Sequence, residues 1–294
     1  MPEVPPPPLA PDGLPPAPGT PLREAALALL REHDPRRKAA ATRALAQAWR
    51  AAPAQHPVDP AARLAEPDDL PGRPLRPRLV PPKEVPARSP FTVAGRAGLL
   101  HAIAHIEFNA INLALDAVWR FPDLPPAYYA DWMRVADEEA LHFQLLEAHL
   151  ADLAHAYGDF DAHDGLWTMA RRTAHDPMAR MGLVPRTLEA RGLDATPALQ
   201  AKLARAGDAR AVEILAVILR DEVGHVAIGN RWYRWLCARA GLPPHATAQR
   251  LAREHAAPRL RPPYNLEARR AAGFDEDELA ALDAAAPPPQ PAGD

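Results

Sequence analysis

Cysteine is almost missing from this chain: Cys237 stands alone among 294 residues. A disulfide framework is therefore excluded, and the chain suits a reducing cytoplasm. Cys237 lies in the apolar run Trp235-Leu236-Cys237-Ala238 and reads as a small buried residue. Aromatic residues are few, at 6%. No stretch reaches the roughly 18 consecutive apolar residues of a transmembrane helix, and the N-terminus lacks the basic-then-apolar order of an export signal. Neither a membrane span nor secretion is expected, and a cytoplasmic location is. A strong charge excess is also missing. The formal net charge of −3 disfavours a general nucleic-acid binder.

Proline and alanine are plentiful. Alanine favours helix and close helix contacts. Proline marks the joints, because it lacks an N–H and fixes its own φ. Of 37 prolines, nine fall in residues 1–20, eleven in 53–90 and four in 287–294. The expected organisation is a disordered tail over 1–20, a helical hairpin over 21–52 and a proline-rich linker over 53–88. A main helical domain over 89–241, a helical extension over 242–286 and a disordered tail over 287–294 follow. Asp34-Pro35 supplies an N-cap and a first-turn proline for the second hairpin helix.

Four helices are expected in the main domain, with no strand alternation. The first ends near Phe121-Pro122. Pro125-Pro126 open the second, which runs to Gly158. After a connection of about twenty residues, a third spans Met178 to Arg191, ended by Gly192 and marked by Pro185. Asp208 caps the fourth, which runs to Gly241. Two short helices are expected around Arg261-Pro262-Pro263-Tyr264-Asn265. Two helix pairs joined by a longer crossover define an all-α, ferritin-like four-helix bundle.

Carboxylates interrupt the apolar faces of these helices. Glu107 shares its face with Ile103, Ala104, Ala110, Ile111 and Ala114. A carboxylate there costs several kcal/mol unless a cation, proton or metal compensates. On the second helix, Glu139 and His142 stand three apart, flanked by Val135, Ala136, Phe143 and Leu146. Glu138 competes with Glu139, since it also lies one turn from His142. On the fourth helix, Glu222 and His225 repeat the Glu-x-x-His spacing. Gly224 and Gly229 beside them suit close helix contact or space beside metals. Glu189 is the one carboxylate of the third helix.

Glu107 precedes Glu139 by 32 residues and Glu189 precedes Glu222 by 33. Each half thus supplies a lone Glu and then a Glu-x-x-His, which is the ligand pattern of ferritin-like di-iron and di-manganese proteins. Two divalent ions balance four carboxylates, and mixed oxygen and imidazole donors suit iron or manganese rather than structural zinc. His101 and His105 point away from this set and read as solvated or helix-packing. His149, His155, His163 and His175 have no partnered spacing. Arg171, Arg172, Arg180, Arg186 and Arg191 read as a solvated or salt-bridged surface. Trp119, Trp132, Trp232 and Trp235 read as packing residues.

Several stretches resemble the bacterial ferritin-like proteins of the family called domain of unknown function 455: HIEFNAINLALDAVWRF, DEEALHFQLLEAHL, RMGLVPRTLEARGLDATP, RDEVGHVAIGNRWY and PPYNLEARRAAGF. The resemblance covers residues 20–285. It is also distantly similar to tRNA-hydroxylating di-iron enzymes. It implies the bundle and a metal site at Glu107, Glu139, His142, Glu189, Glu222 and His225, but no substrate. The resulting expectation is an O₂-dependent di-iron or di-manganese oxidoreductase or hydroxylase. Its substrate would be a small molecule or RNA, with an electron-donor protein as partner. The alternative is a metal-binding or ferroxidase protein without an organic substrate.

Overall fold

The computed structural model describes residues 16–86 and 88–284. The protein is all-helical, 68% helix, with no strand among the described residues. An isolated bridge pairs Leu79 with Ala162. The tail expected over 287–294, and the first fifteen residues of that expected over 1–20, lie outside the described residues. The last part of the latter, by contrast, is anchored: the Gly19 N–H donates to the Gln55 carbonyl at 2.7 Å. No described helix is long and apolar enough to cross a membrane.

The chain divides into two compact units. The first comprises Met1–Ala170 with Lys202–Ile214, and the second Arg171–Ala201 with Leu215–Asp294.

The first unit begins with a hairpin of α1 (Leu22–Leu30) and α2 (Pro35–Ala51). The Asp34 side chain caps α2 by accepting from the Arg37 N–H at 2.9 Å, and Pro35 sits where no intrahelical donor is needed. The long helices are α3 (Val93–Arg120) and α4 (Pro126–Asp152). Thr92 starts α3, its hydroxyl accepting from the Gly95 N–H at 3.1 Å. α3 packs chiefly on α4, while α1 lies on α3 and α2 on α4. The hairpin thereby covers the pair and buries α3 on most of its faces.

A buried lysine ties these pieces together. Lys38 of α2 donates to the Leu30 carbonyl at the end of α1 (3.0 Å), to the Gly72 carbonyl (2.8 Å) and to Asn112 Oδ1 of α3. Its ammonium also stands 5.0 Å from the Phe108 ring centre. A cation suits the carbonyl end of a helix. Full burial still pushes the Lys38 ammonium well below its ordinary value. A short helix, α5 (Gly165–Arg172), closes the described part of this stretch.

The second unit carries the third helix of the sequence reading in a different form. It consists of α6 (Pro177–Leu183), a π-helical turn (Val184–Glu189) and α7 (Ala190–Arg205). Gly192 does not end it. The helix continues through Gly192 and Pro197, because the bond that proline cannot make is replaced. Pro197 has no N–H for the Leu193 carbonyl, and Asn265 Nδ2 donates there instead at 3.2 Å. α8 (Ala209–Ala240) follows, capped by Asp208, which accepts from the Ala211 N–H at 3.0 Å. Gly229 lets the π turn approach α8: a Cβ there would meet Pro185 Cβ and Cγ at 2.6 Å.

Beyond α8, the described residues form three helices rather than the expected two: α9 (Pro244–Glu254), α10 (Leu266–Ala271) and α11 (Glu276–Ala284). Asn265 caps α10 through the Ala268 N–H (3.1 Å), and its own N–H donates to Asp194 of α7. Ala190, Leu193, Val226, Ala272, Phe274 and Leu279 form the apolar cluster that holds α10 and α11 to α7 and α8.

Candidate metal centre

Three successive acids on α4 meet three different fates, because helical residues turn by about 100° each. Asp137 faces α2, accepting from Arg43 Nε (3.2 Å) and Arg50 Nη2 (2.9 Å). Glu138 is half-buried, 3.9 Å from Arg134 Nε. Glu139 points inward, 1% exposed, with His142 Nδ1 3.4 Å from its Oε2. Of the two competing glutamates, Glu139 is thus the one beside the buried imidazole.

Glu107 of α3 completes the group in the first unit. Its Oε2 lies 3.0 Å from His142 Nδ1, and both residues are buried. Glu107, Glu139 and His142 each offer a ligand atom, and these atoms lie within 4.8 Å of one another. Two carboxylates this close in an apolar interior repel unless positive charge separates them. Elsewhere between these helices, the Phe108 and Phe143 rings are tilted against each other at 5.6 Å, and Tyr157 closes on both and on His101 and His105.

The second unit repeats the donor types. Glu222 and His225 of α8 are buried, with His225 Nδ1 3.7 Å from Glu222 Oε1. Glu189 is the last residue of the π turn. Such turns insert an extra residue and re-aim the side chains that follow, and they recur at functional sites.

The model of a family described as protein of unknown function (DUF455) matches residues 31–280. The chain belongs to this family. A relative from Haemophilus influenzae, described as an uncharacterized protein, is 52% identical over 219 residues, covering 72% of this chain and 76% of its own. No solved structure matches. The match to the DUF455 family takes in every residue of both donor groups.

Neighbouring histidines have other work. His101 and His105 are buried rather than solvated. His101 Nε2 accepts the Gly158 N–H at 2.9 Å, and its ring stacks on Tyr157 at 5.3 Å. His105 Nε2 donates to the His163 carbonyl (3.1 Å), so Nδ1 accepts from the Tyr157 hydroxyl (2.9 Å). Burial lowers the two imidazoles to about 4 and about 3, so both are neutral at pH 7. It raises the Tyr157 phenol. His149, read as unpartnered, lies 3.6 Å from Asp152 three residues on and meets Asp208 at 2.9 Å across 59 residues. Two of the arginines read as surface are also buried. Arg180 Nε donates to Thr173 Oγ1 at 2.9 Å, and Arg186 pairs with Glu278. Arg171, Arg172 and Arg191 are exposed.

Proposed function

We propose that this chain is a ferritin-like four-helix carboxylate protein that holds two iron or manganese ions and uses O₂ to oxidise an organic substrate. α3, α4, the α6–π–α7 run and α8 would be the four helices, with the stretch between α4 and α6 as the long crossover. The observation that carries the reading is the buried donor group of Glu107, Glu139 and His142. Carboxylate oxygens and imidazole nitrogens suit iron and manganese.

Glu107, Glu139 and His142 would serve one ion, and Glu189, Glu222 and His225 the other. His142 faces both carboxylates of its own group, so its ring orientation is set before metal arrives. A reduced metal pair bound there would supply electrons to O₂, with a donor protein restoring them. The substrate, a small molecule or an RNA, is part of the proposal and not of its support.

The test is reconstitution with ferrous iron under anaerobic conditions, elemental analysis, and then O₂ uptake. About two irons per chain are expected. One tightly held zinc, or no metal, overturns the dinuclear reading. Uptake that continues only with an electron donor and an organic substrate supports the oxidoreductase. Uptake that stops once the added iron is oxidised favours metal handling instead.

A further inference from the structure

Within the second unit lies a cavity of about 650 Å³. It is bounded by the π turn, α9, the 256–264 segment, α10 and α11. The volume falls in the range of small-molecule sites, and its surface is mainly apolar with a few charged groups. Two buried arginines among its lining residues each keep one nitrogen without a hydrogen-bond partner. Arg269 is fully buried. It gives Nε and Nη2 to Asp194 at 2.9 and 2.6 Å, and Nη1 is left over. Arg186 gives Nη2 to Glu278, and its Nε is left over.

The Phe274 ring lies 4.9 Å from the Arg186 guanidinium and 5.2 Å from that of Arg269. It fixes both cations by stacking. At the rim, Arg253 and Arg259 are exposed and make no ion pair among the described residues. Four arginines are thus among the residues lining the cavity, against one carboxylate, Glu278, which Arg234 already shares at 3.1 Å. The two buried guanidinium groups add positive potential behind the cavity wall, and the two exposed ones add it at the rim.

We propose that this cavity binds a small amphipathic organic anion. Its charged oxygens would meet Arg253 and Arg259 at the entrance, with the buried Arg186 and Arg269 adding positive charge behind them. Its apolar body would lie against Ala252, Leu260 and Phe274. The inference stands on the second unit alone and does not require the metal centre.

Isothermal titration of the full chain with decanoate, decanol and inorganic phosphate tests it. Decanoate binds one to one. Decanol lacks the charge and phosphate lacks the apolar body, and each binds at least about tenfold more weakly. Arg253→Glu with Arg259→Glu weakens decanoate by about tenfold or more and leaves the melting temperature unchanged, since both side chains are exposed. Ala252→Trp, which fills the cavity, abolishes binding. Absence of decanoate binding overturns the proposal, as does decanol or phosphate binding equally well. Decanoate bound elsewhere, for example at the metal ligands, is insensitive to the substitutions, and that result also overturns it.

Discussion

His101 is held neutral chiefly by burial, and its Nε2 also accepts the Gly158 N–H, which an imidazolium could not do. Burial lowers its value from 6.5 to about 4; Asp159 opposes this weakly, and Arg88 adds to it. The unfolded chain takes up the proton near pH 6.5 and the folded chain resists until about pH 4, so the unfolded state binds more protons in that window. Stability is therefore fully present above pH 6.5 and falls as the pH drops toward about 4. His101→Gln keeps an acceptor and removes the titration. Thermal melts followed by circular dichroism should show a smaller loss between pH 7 and pH 5 in the variant than in the parent. Equal losses would mean that His101 does not drive the acid sensitivity. The same scale decides between the adjacent glutamates. Glu138 and Glu139 are chemically identical, and only the turn of α4 sends one outward and the other toward His142.

Helices are shaped here by what lies across from them. Gly229 and Gly192 both sit inside helices, where glycine costs about 1 kcal/mol against alanine. Their surroundings give them opposite consequences. A Cβ at Gly229 collides with the Pro185 ring at 2.6 Å, whereas a Cβ at Gly192 meets nothing within 4 Å. Gly229→Ala should push α8 from the π turn and lower stability by about 1–3 kcal/mol. Gly192→Ala should raise it by up to about 1 kcal/mol, because the helix gains propensity and loses no contact. Urea unfolding of both variants checks the pair, and equal signs would refute the packing argument. The continuation of α7 past Gly192 has the same origin. Asn265 supplies the donor that Pro197 lacks, and Arg269 holds Asp194 one turn earlier.

At the scale of the whole molecule, Glu189 is the most exacting member of the proposed ligand set. It ends a π turn, so its aim depends on the proline-marked backbone before it. If it ligates, Glu189→Ala removes one of four carboxylates that balance two divalent ions. Anaerobic ferrous titration should then show one site filled normally and the other weakened by about 10–100-fold. The fold should persist, since no apolar packing is lost. Glu138→Ala, beside the proposed ligand Glu139 but half-exposed, should leave both sites near normal. Loss of the second metal in Glu138→Ala together with its retention in Glu189→Ala would reject both assignments.

Much of this architecture is local, and the amino-acid sequence alone determines it. Asp34-Pro35, Thr92 and Asp208 start helices through bonds that span three residues, and Glu-x-x-His places a carboxylate beside an imidazole by helical spacing. Membership of the DUF455 family is likewise carried by short motifs. What only the tertiary structure decided depends on partners far along the chain. Arg186 reads as surface until Glu278 meets it 92 residues later, and His149 reads as unpartnered until Asp208 arrives. Gly192 reads as a helix end, yet α7 runs on past it, with Asn265 supplying the donor that Pro197 lacks. The reason is physical. Caps and i, i+3 pairs form within one turn and are written in the spacing of residues. The fate of a buried charge depends on which distant group folding brings to it, and no local pattern records that.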